Sequence, residues 1–376
     1  MSLKNHFTDH FISLSLSPVF FATVACCAGI LSCHYNMSLL FISVTFLCIY
    51  QFLFFLKKTD IHLIAVLCGV AYGGAYYRYE SLVSHNKASY EVLPKKPFNA
   101  CARVIDLETC TKAKFKTILT VALTSLEKED THIPFTENLR INVIDTPELL
   151  VDDIITLRAL TYKPPKNSSF RQYLFKEGIL ASLYCVKLNY TLHKRPRYSF
   201  GRWRAYLRDR ITKRLSYSLS PASYSLFCAL FLGKKLSDSG FYKELRAYCT
   251  YWGIVHYLAR SGLHVVLIAS TLSIFLRLIP VHFFLKEALL LLFILIYHGL
   301  TWPSVSFNRA LITLILYKIY TLQSLDFKTL HILSITTLII LFINPLQLFF
   351  LDFQLSFGLT GALAWFNEVK LVSARK

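Results

Sequence analysis

His256, Arg260 and His264 recur at four-residue spacing in the run His256-Tyr-Leu-Ala-Arg260-Ser261-Gly262-Leu-His264. On a continuous helix that spacing puts two imidazoles and a guanidinium on one side. Ionisable groups in an apolar stretch are costly, and they face a protein interior or a wet path. The Ser261-Gly262 pair could instead break the helix, freeing backbone groups that only a cavity or protein partners can satisfy. Two readings therefore fit: the lining of an anion path, or a buried hydrogen-bonded knot that pins helices together. A metal site lacks a third ligand, because no carboxylate or thiolate stands near the two histidines.

Other polar groups punctuate the later apolar runs: His298, Asn308 with Arg309, Lys318, and Asp352-Phe-Gln354-Leu-Ser356. Asp352 and Arg309 are a candidate ion pair, since either charge left alone in apolar surroundings would cost several kcal/mol. Lys318 is expected to snorkel toward a headgroup. There is no GxxxxGK[ST], HxHxDH, GxSxG or HExxH, so nothing resembles a catalytic constellation or a cofactor cradle. Transport or binding fits better than catalysis.

A second concentration of charge lies between Lys187 and Arg214. It holds Lys187, Lys194, Arg195, Arg197, Arg202, Arg204, Arg208, Arg210, Lys213 and Arg214 against the single acid Asp209. Phe200, Trp203, Tyr206, Leu207, Ile211 and Leu215 interleave with them. Steps of four put Trp203, Leu207, Ile211 and Leu215 on one face of a basic amphipathic helix at a membrane surface. Arg195, Arg197, Arg202, Arg204, Arg208, Lys213 and Arg214 are its candidate phosphate contacts. The helix alone leaves open whether those phosphates belong to lipid or to nucleic acid.

The elements that must position these groups follow from composition. Of 376 residues 54% are hydrophobic, 30 are Phe and 22 Tyr, yet the formal charge is +19. A soluble chain of this size has too little interior for so much apolar surface. Apolar runs at 14–33, 38–56 and 61–77 predict three crossings, and Lys57-Lys58 places their short loop in the cytoplasm. Short runs at 221–233 and 247–258 suit re-entrant helices. Fuller runs follow at 262–279, 283–300, 305–322, 328–343 and 346–366. Between them, 100–107, 115–126, 139–144 and 154–160 are β-branched segments with polar breaks, the pattern of a small exported β-barrel of OB type or a small sandwich. Cys101, Cys110 and Cys185 fall in that part, where a disulfide between two of them is one option.

The stretch from Cys228 to Val265 resembles the ComEC competence family. A leucine-rich run ends at Gly233, a charged loop follows, and then Gly253, His256, Leu258, Ala259, Ser261, Gly262, Leu263, His264 and Val265 match the family signature. Asn167, Phe170, Tyr173, Leu174, Gly178 and Ile179 look like the motif closing the family's OB-like domain. Pro303-Ser304-Val305 with Arg309-Ala310, and Asn344-Pro345 with Phe353-Gln354-Leu355-Ser356-Phe357, match two later elements. At 260 the family usually has an apolar residue where this chain has Arg.

The resemblance implies a channel in the bacterial cytoplasmic membrane that imports single-stranded DNA during transformation. It carries a path role onto His256, Ser261, Gly262, His264, Arg309, Asp352, Gln354 and Ser356, with Arg260 beside them. Larger members continue into a metallo-β-lactamase-like domain, so a separate nuclease and other competence-machinery proteins are expected partners alongside membrane lipids. The fold expected is an α-helical polytopic membrane protein of about eight transmembrane helices plus short re-entrant helices. Its parts would be 1–80 N-terminal helices, a 97–192 OB-like β-barrel on the non-cytoplasmic side, a 193–220 basic interfacial helix and a 221–376 channel domain. Rival readings are a transporter of a small anionic or lipid-like substrate, an intramembrane hydrolase using His256 or His264, and a degenerate remnant without transport.

Overall fold

The computed structural model of the chain describes residues 18–37, 61–94, 96–109, 116–128, 131–162, 164–165, 167–233, 240–253, 262–302, 305–324 and 328–374. They divide into two compact units. One comprises Met1–Ser84, Arg277–Ala288 and Val305–Lys376, and the other His85–Leu276 and Leu289–Ser304.

In chain order the helices before the sheet are α1 (Pro18–His34) and α2 (Ile61–Val92), and α3 (Ser168–Lys176) lies within it. After the sheet come α4 (Phe200–Ser218), α5 (Pro221–Phe227), a π-turn at Cys228–Leu232, α6 (Gly240–Tyr251) and α7 (Gly262–Arg277). Next are α8 (Phe283–Leu300), α9 (Val305–Leu322), α10 (Thr329–Ile343), a 3₁₀ turn at Pro345–Phe349 and α11 (Leu351–Ala374).

The strands are β1 (Phe98–Thr109), β2 (Thr117–Lys128), β3 (Thr131–Pro134), β4 (Asn138–Val143), β5 (Ile154–Leu160), β6 (Ala181–Cys185) and β7 (Tyr190–Lys194). Alternate residues build one core: Ala100, Ala102 and Val104 on β1, Leu119, Val121 and Leu123 on β2, Leu139, Ile141 and Val143 on β4, with Ile155 and Leu157 on β5. Period two is what a pleated strand with one buried face requires. The order is β6-β4-β2-β1-β5-β7, with β3 also on β2. Neighbours pair antiparallel except β4 and β6, which run parallel from Leu139↔Ala181 to Val143↔Cys185. Two bulges, at Cys101/Ala102 and Val104/Asp106, interrupt the β1–β2 register.

The expected closed OB-type barrel is therefore corrected to an open, mixed sheet whose outer strands are β6 and β7. Alternation tells which side of a strand is buried, whereas closure depends on the stagger between strands. Nothing in a period-two pattern encodes that stagger. Cys101 and Cys185 are free thiols, and Cys110 lies outside the described residues.

The count of about eight transmembrane helices is overturned as well. Among the described residues, only α8 is both long and apolar enough to cross a bilayer, with a mean hydropathy of 1.9. Helices α1, α7 and α10 have 17, 16 and 15 residues. At 1.5 Å per residue they fall short of a hydrocarbon core of about 30 Å. The apolar run ending at Tyr77 continues as α2 into Arg78, Glu80, His85, Lys87 and Glu91. The proposed span at 38–56 lies outside the described residues, as does the second half of the re-entrant run at 247–258. In α8, Leu290 and Ile294 are buried while Leu292, Phe293, Leu295 and Ile296 are about half exposed.

In the other unit α1 packs on α10, where Thr23 Oγ1 donates to the Ser334 carbonyl at 3.2 Å. Cys26, Ile30, Tyr79, Leu333, Leu341, Phe353 and Phe357 form its core. Gly29 lies so close to the Tyr72 carbonyl that any Cβ would collide with it. Lys318 does not snorkel: its Nζ pairs with Glu287 at 2.8 Å, both side chains largely covered. A charge in apolar surroundings is held most cheaply by an opposite charge.

The sheet's core position Ile155 is fully buried. Ile155→Ala is expected to destabilise that unit by about 2–5 kcal/mol, measured by urea unfolding of the purified chain.

Candidate functional site

The basic segment divides its cations between two faces. The buried side is organised by Asp153, whose side chain has no exposed surface. Arg195 donates to it through Nε at 3.1 and 3.2 Å and through Nη2 at 2.8 Å. Arg202 Nη2 donates at 2.9 Å, and the Leu150 backbone N–H adds a bond at 2.9 Å. A carboxylate taken out of water needs this saturation of its lone pairs. Hydrogen bonding to Asp153 raises the Arg195 pKa above its ordinary value.

The same loop seats the start of α4. Ser199 caps the helix, accepting from the Arg202 N–H at 3.3 Å, and also bonds the Asp152 carboxylate. Asp152 has φ +66°, a left-handed conformation that Asp tolerates better than most residues. A Cβ on Gly201 would strike Asp152 Oδ2. Glycine at 201 is therefore what lets the helix approach the loop.

Farther along the covered side, Arg208 stands 3.8 Å from Asp106 and stacks over the Trp302 ring at 4.3 Å. Burial lowers its pKa, with Asp106 opposing that shift. Arg204 is half-buried, and its Nε has no hydrogen-bond partner among the described residues.

The opposite side of α4 reads Trp203, Tyr206, Arg210, Lys213, Arg214 and Tyr217, all exposed. Spacings of three, four and seven residues align them along the helix. Lys213 is paired with Asp209 at 2.7 Å across one turn. Arg210 and Arg214 have no acidic partner among the described residues. Arg197, Tyr198 and Phe200 continue the exposed strip past the helix start, and Phe200 and Trp203 lie ring to ring at 5.8 Å. The apolar stripe expected through Trp203, Leu207, Ile211 and Leu215 is split: the last three are half-buried and Trp203 belongs to the exposed face. A step of four drifts about 40° each time on a helix, so that series wraps from one face toward the other. Tyr206, Arg210 and Tyr217 were absent from the expected phosphate-binding set, although steps of three and four from Trp203 reach them.

Of the residues assigned to a path, His256, Arg260 and Ser261 lie outside the described residues. Gly262 opens α7, and His264 meets the Phe231 ring edge-on at 6.1 Å between centroids. Phe231 belongs to the π-turn, where a widened turn displaces carbonyls from their usual partners. Tyr297 Oη donates to the Phe231 carbonyl, and the Trp302 N–H to that of Leu232 at 2.9 Å. Gly233 ends the turn at φ +75°, as a left-handed cap does.

In the other unit, Arg309 donates to the Ser356 carbonyl and to Thr360 Oγ1 at 2.6 Å, and lies 5.4 Å from the Phe357 ring centroid. Arg309 and Ser356 are thus brought together. Asp352 occupies the first turn of α11, where a helix dipole favours an acid. Gln354 Nε2 donates to the Leu348 carbonyl at 2.9 Å.

Residues 230–373 match the family model described as Competence protein. No curated protein and no solved structure matches the chain.

Asp153→Asn removes the charge shared by Arg195 and Arg202. It should cost about 3 kcal/mol, as breaking a buried ion pair does, and loosen the start of α4. Faster amide exchange over residues 200–206 than over β1 and β2 would report this, whereas uniform exchange would contradict it.

Proposed function

We propose that this chain, whose residues 230–373 match the competence family model, is a membrane subunit of DNA uptake in natural transformation whose α4 face holds one DNA strand during import. The observation that carries this reading is the exposed strip of Trp203, Tyr206, Arg210, Lys213, Arg214 and Tyr217. Single strands are bound by cations that track phosphates together with aromatic rings on which bases stack. A strip of both kinds on one rigid helix supplies them at matching intervals.

Arg197 extends the strip, while Arg195, Arg202 and Arg208 serve the fold and are removed from the set of phosphate contacts. The sheet and α4 would lie on the outer side of the membrane, where the strand arrives, and the competence domain would pass it inward. Nothing in this role requires a covalent step by the chain itself. The apolar helix α8 supports attachment to the bilayer.

The test uses the purified full-length chain with a labelled oligonucleotide and, separately, with anionic vesicles. Trp203→Ala should weaken single-strand binding by about 1–3 kcal/mol, the value of one stacked base. Arg210→Gln and Arg214→Gln should each flatten the plot of log affinity against log salt by about 0.7, the slope that one neutralised phosphate contributes on a single strand. Matching falls in uptake of labelled DNA by complemented cells would support the reading. Unchanged oligonucleotide binding, with vesicle binding reduced, would reassign the face to lipid headgroups.

A further inference from the structure

A slot of about 450 Å³ lies between α1, α2 and α10, within one compact unit. Its walls are Cys26, Val70, Ala71, Ala75, Leu338 and Phe342, all apolar. The volume falls in the range of roughly 300–1,000 Å³ usual for small-molecule sites. Gly74 lines it too, and a Cβ built there meets nothing within 4 Å. Val70 and Phe342 remain about 70% exposed, so the slot is open along one side.

One cation borders this apolar space. Arg78 Nε donates to the Phe342 carbonyl at 3.4 Å, which holds the guanidinium at the last turn of α10. No acidic partner of Arg78 exists among the described residues. A positive charge beside an apolar slot, with no carboxylate among the described residues to balance it, matches a molecule that carries an anionic head on a hydrocarbon tail. A soluble anion would gain nothing from the walls, and a plain hydrocarbon nothing from the guanidinium.

We propose that this slot is a binding site for an anionic glycerophospholipid, with an acyl chain between α2 and α10 and the headgroup phosphate on Arg78. The occupant comes from the bilayer around the chain. The open side lets the tail enter laterally, and the Arg fork is suited to bind phosphate oxygens in a bidentate manner. Gly74 and Ala75 leave the width that a tail needs.

The experiment follows lipid retained by the full-length chain after reconstitution in equal phosphatidylglycerol and phosphatidylcholine, then detergent exchange. The wild-type chain should retain phosphatidylglycerol in preference. Arg78→Leu should cut that preference roughly fivefold, the effect of one cation on an anionic lipid, while Arg78→Lys keeps part of it. Gly74→Leu fills the slot and should abolish retention of both lipids. Val70→Trp is the second filler, read in the same way if Gly74→Leu does not fold. Inorganic phosphate at millimolar concentration should not displace the lipid, and displacement would show a free-anion site instead. Equal retention of the two lipids by the wild type, or undiminished retention by a folded filler variant, would overturn the proposal.

Discussion

Asp153 is a carboxylate with no exposed surface between two guanidiniums, and the arrangement of the basic segment follows from it. Burying that charge would be prohibitive without Arg195, Arg202 and the Leu150 N–H. These bonds seat the start of α4 on the loop, with Gly201 against Asp152. That seating decides which side of the helix is covered. Arg204 and Arg208 fall on the covered side, while Arg210, Lys213, Arg214 and the rings of Trp203, Tyr206 and Tyr217 face outward, and a charge-rich stretch becomes a helix with two distinct faces.

Arg208 links three parts of the same unit. It reaches Asp106 on β1 and lies over Trp302 beyond the end of α8, while its own helix carries the exposed strip. Trp302 in turn donates its backbone N–H to the π-turn, which opens the region matching the competence family. A stacked guanidinium is less strongly hydrated than an ammonium and loses less on burial. Lysine at 208 would keep the charge but forgo the stacking.

Strand positions were legible in the sequence because β-branched residues alternate with polar ones over 100–107, 139–144 and 154–160, and each of those segments lies in or along a strand. Closure was not, since β1 and β4 look alike whether or not their sheet bends back on itself. The helix at 283–300 was legible from its dense Leu, Phe and Ile, unbroken from Ala288 to Ile296. The number of crossings was not, because apolar runs near 262 and 328 fold into helices a few residues too short. At the candidate site, the wealth of Arg was obvious while its division was hidden. Arg195 and Arg214 are indistinguishable as letters, and only a distant acid, Asp153, separates a paired cation from one with no acidic partner among the described residues. His264 was visible as a polar residue in an apolar run, but its neighbour Phe231 lies in a π-turn that no periodicity announces.

The parallel pairing of β4 with β6 joins Leu139 to Ala181 across the intervening β5 and α3. During synthesis β4 must therefore wait, with one row of amides and carbonyls unsatisfied, until the segment 181–185 has left the ribosome. An unpaired strand edge is a template for unwanted pairing, and contacts so far apart in the chain form slowly. In that interval the edge of β4 is open before the basic helix, residues 200–218, has been made.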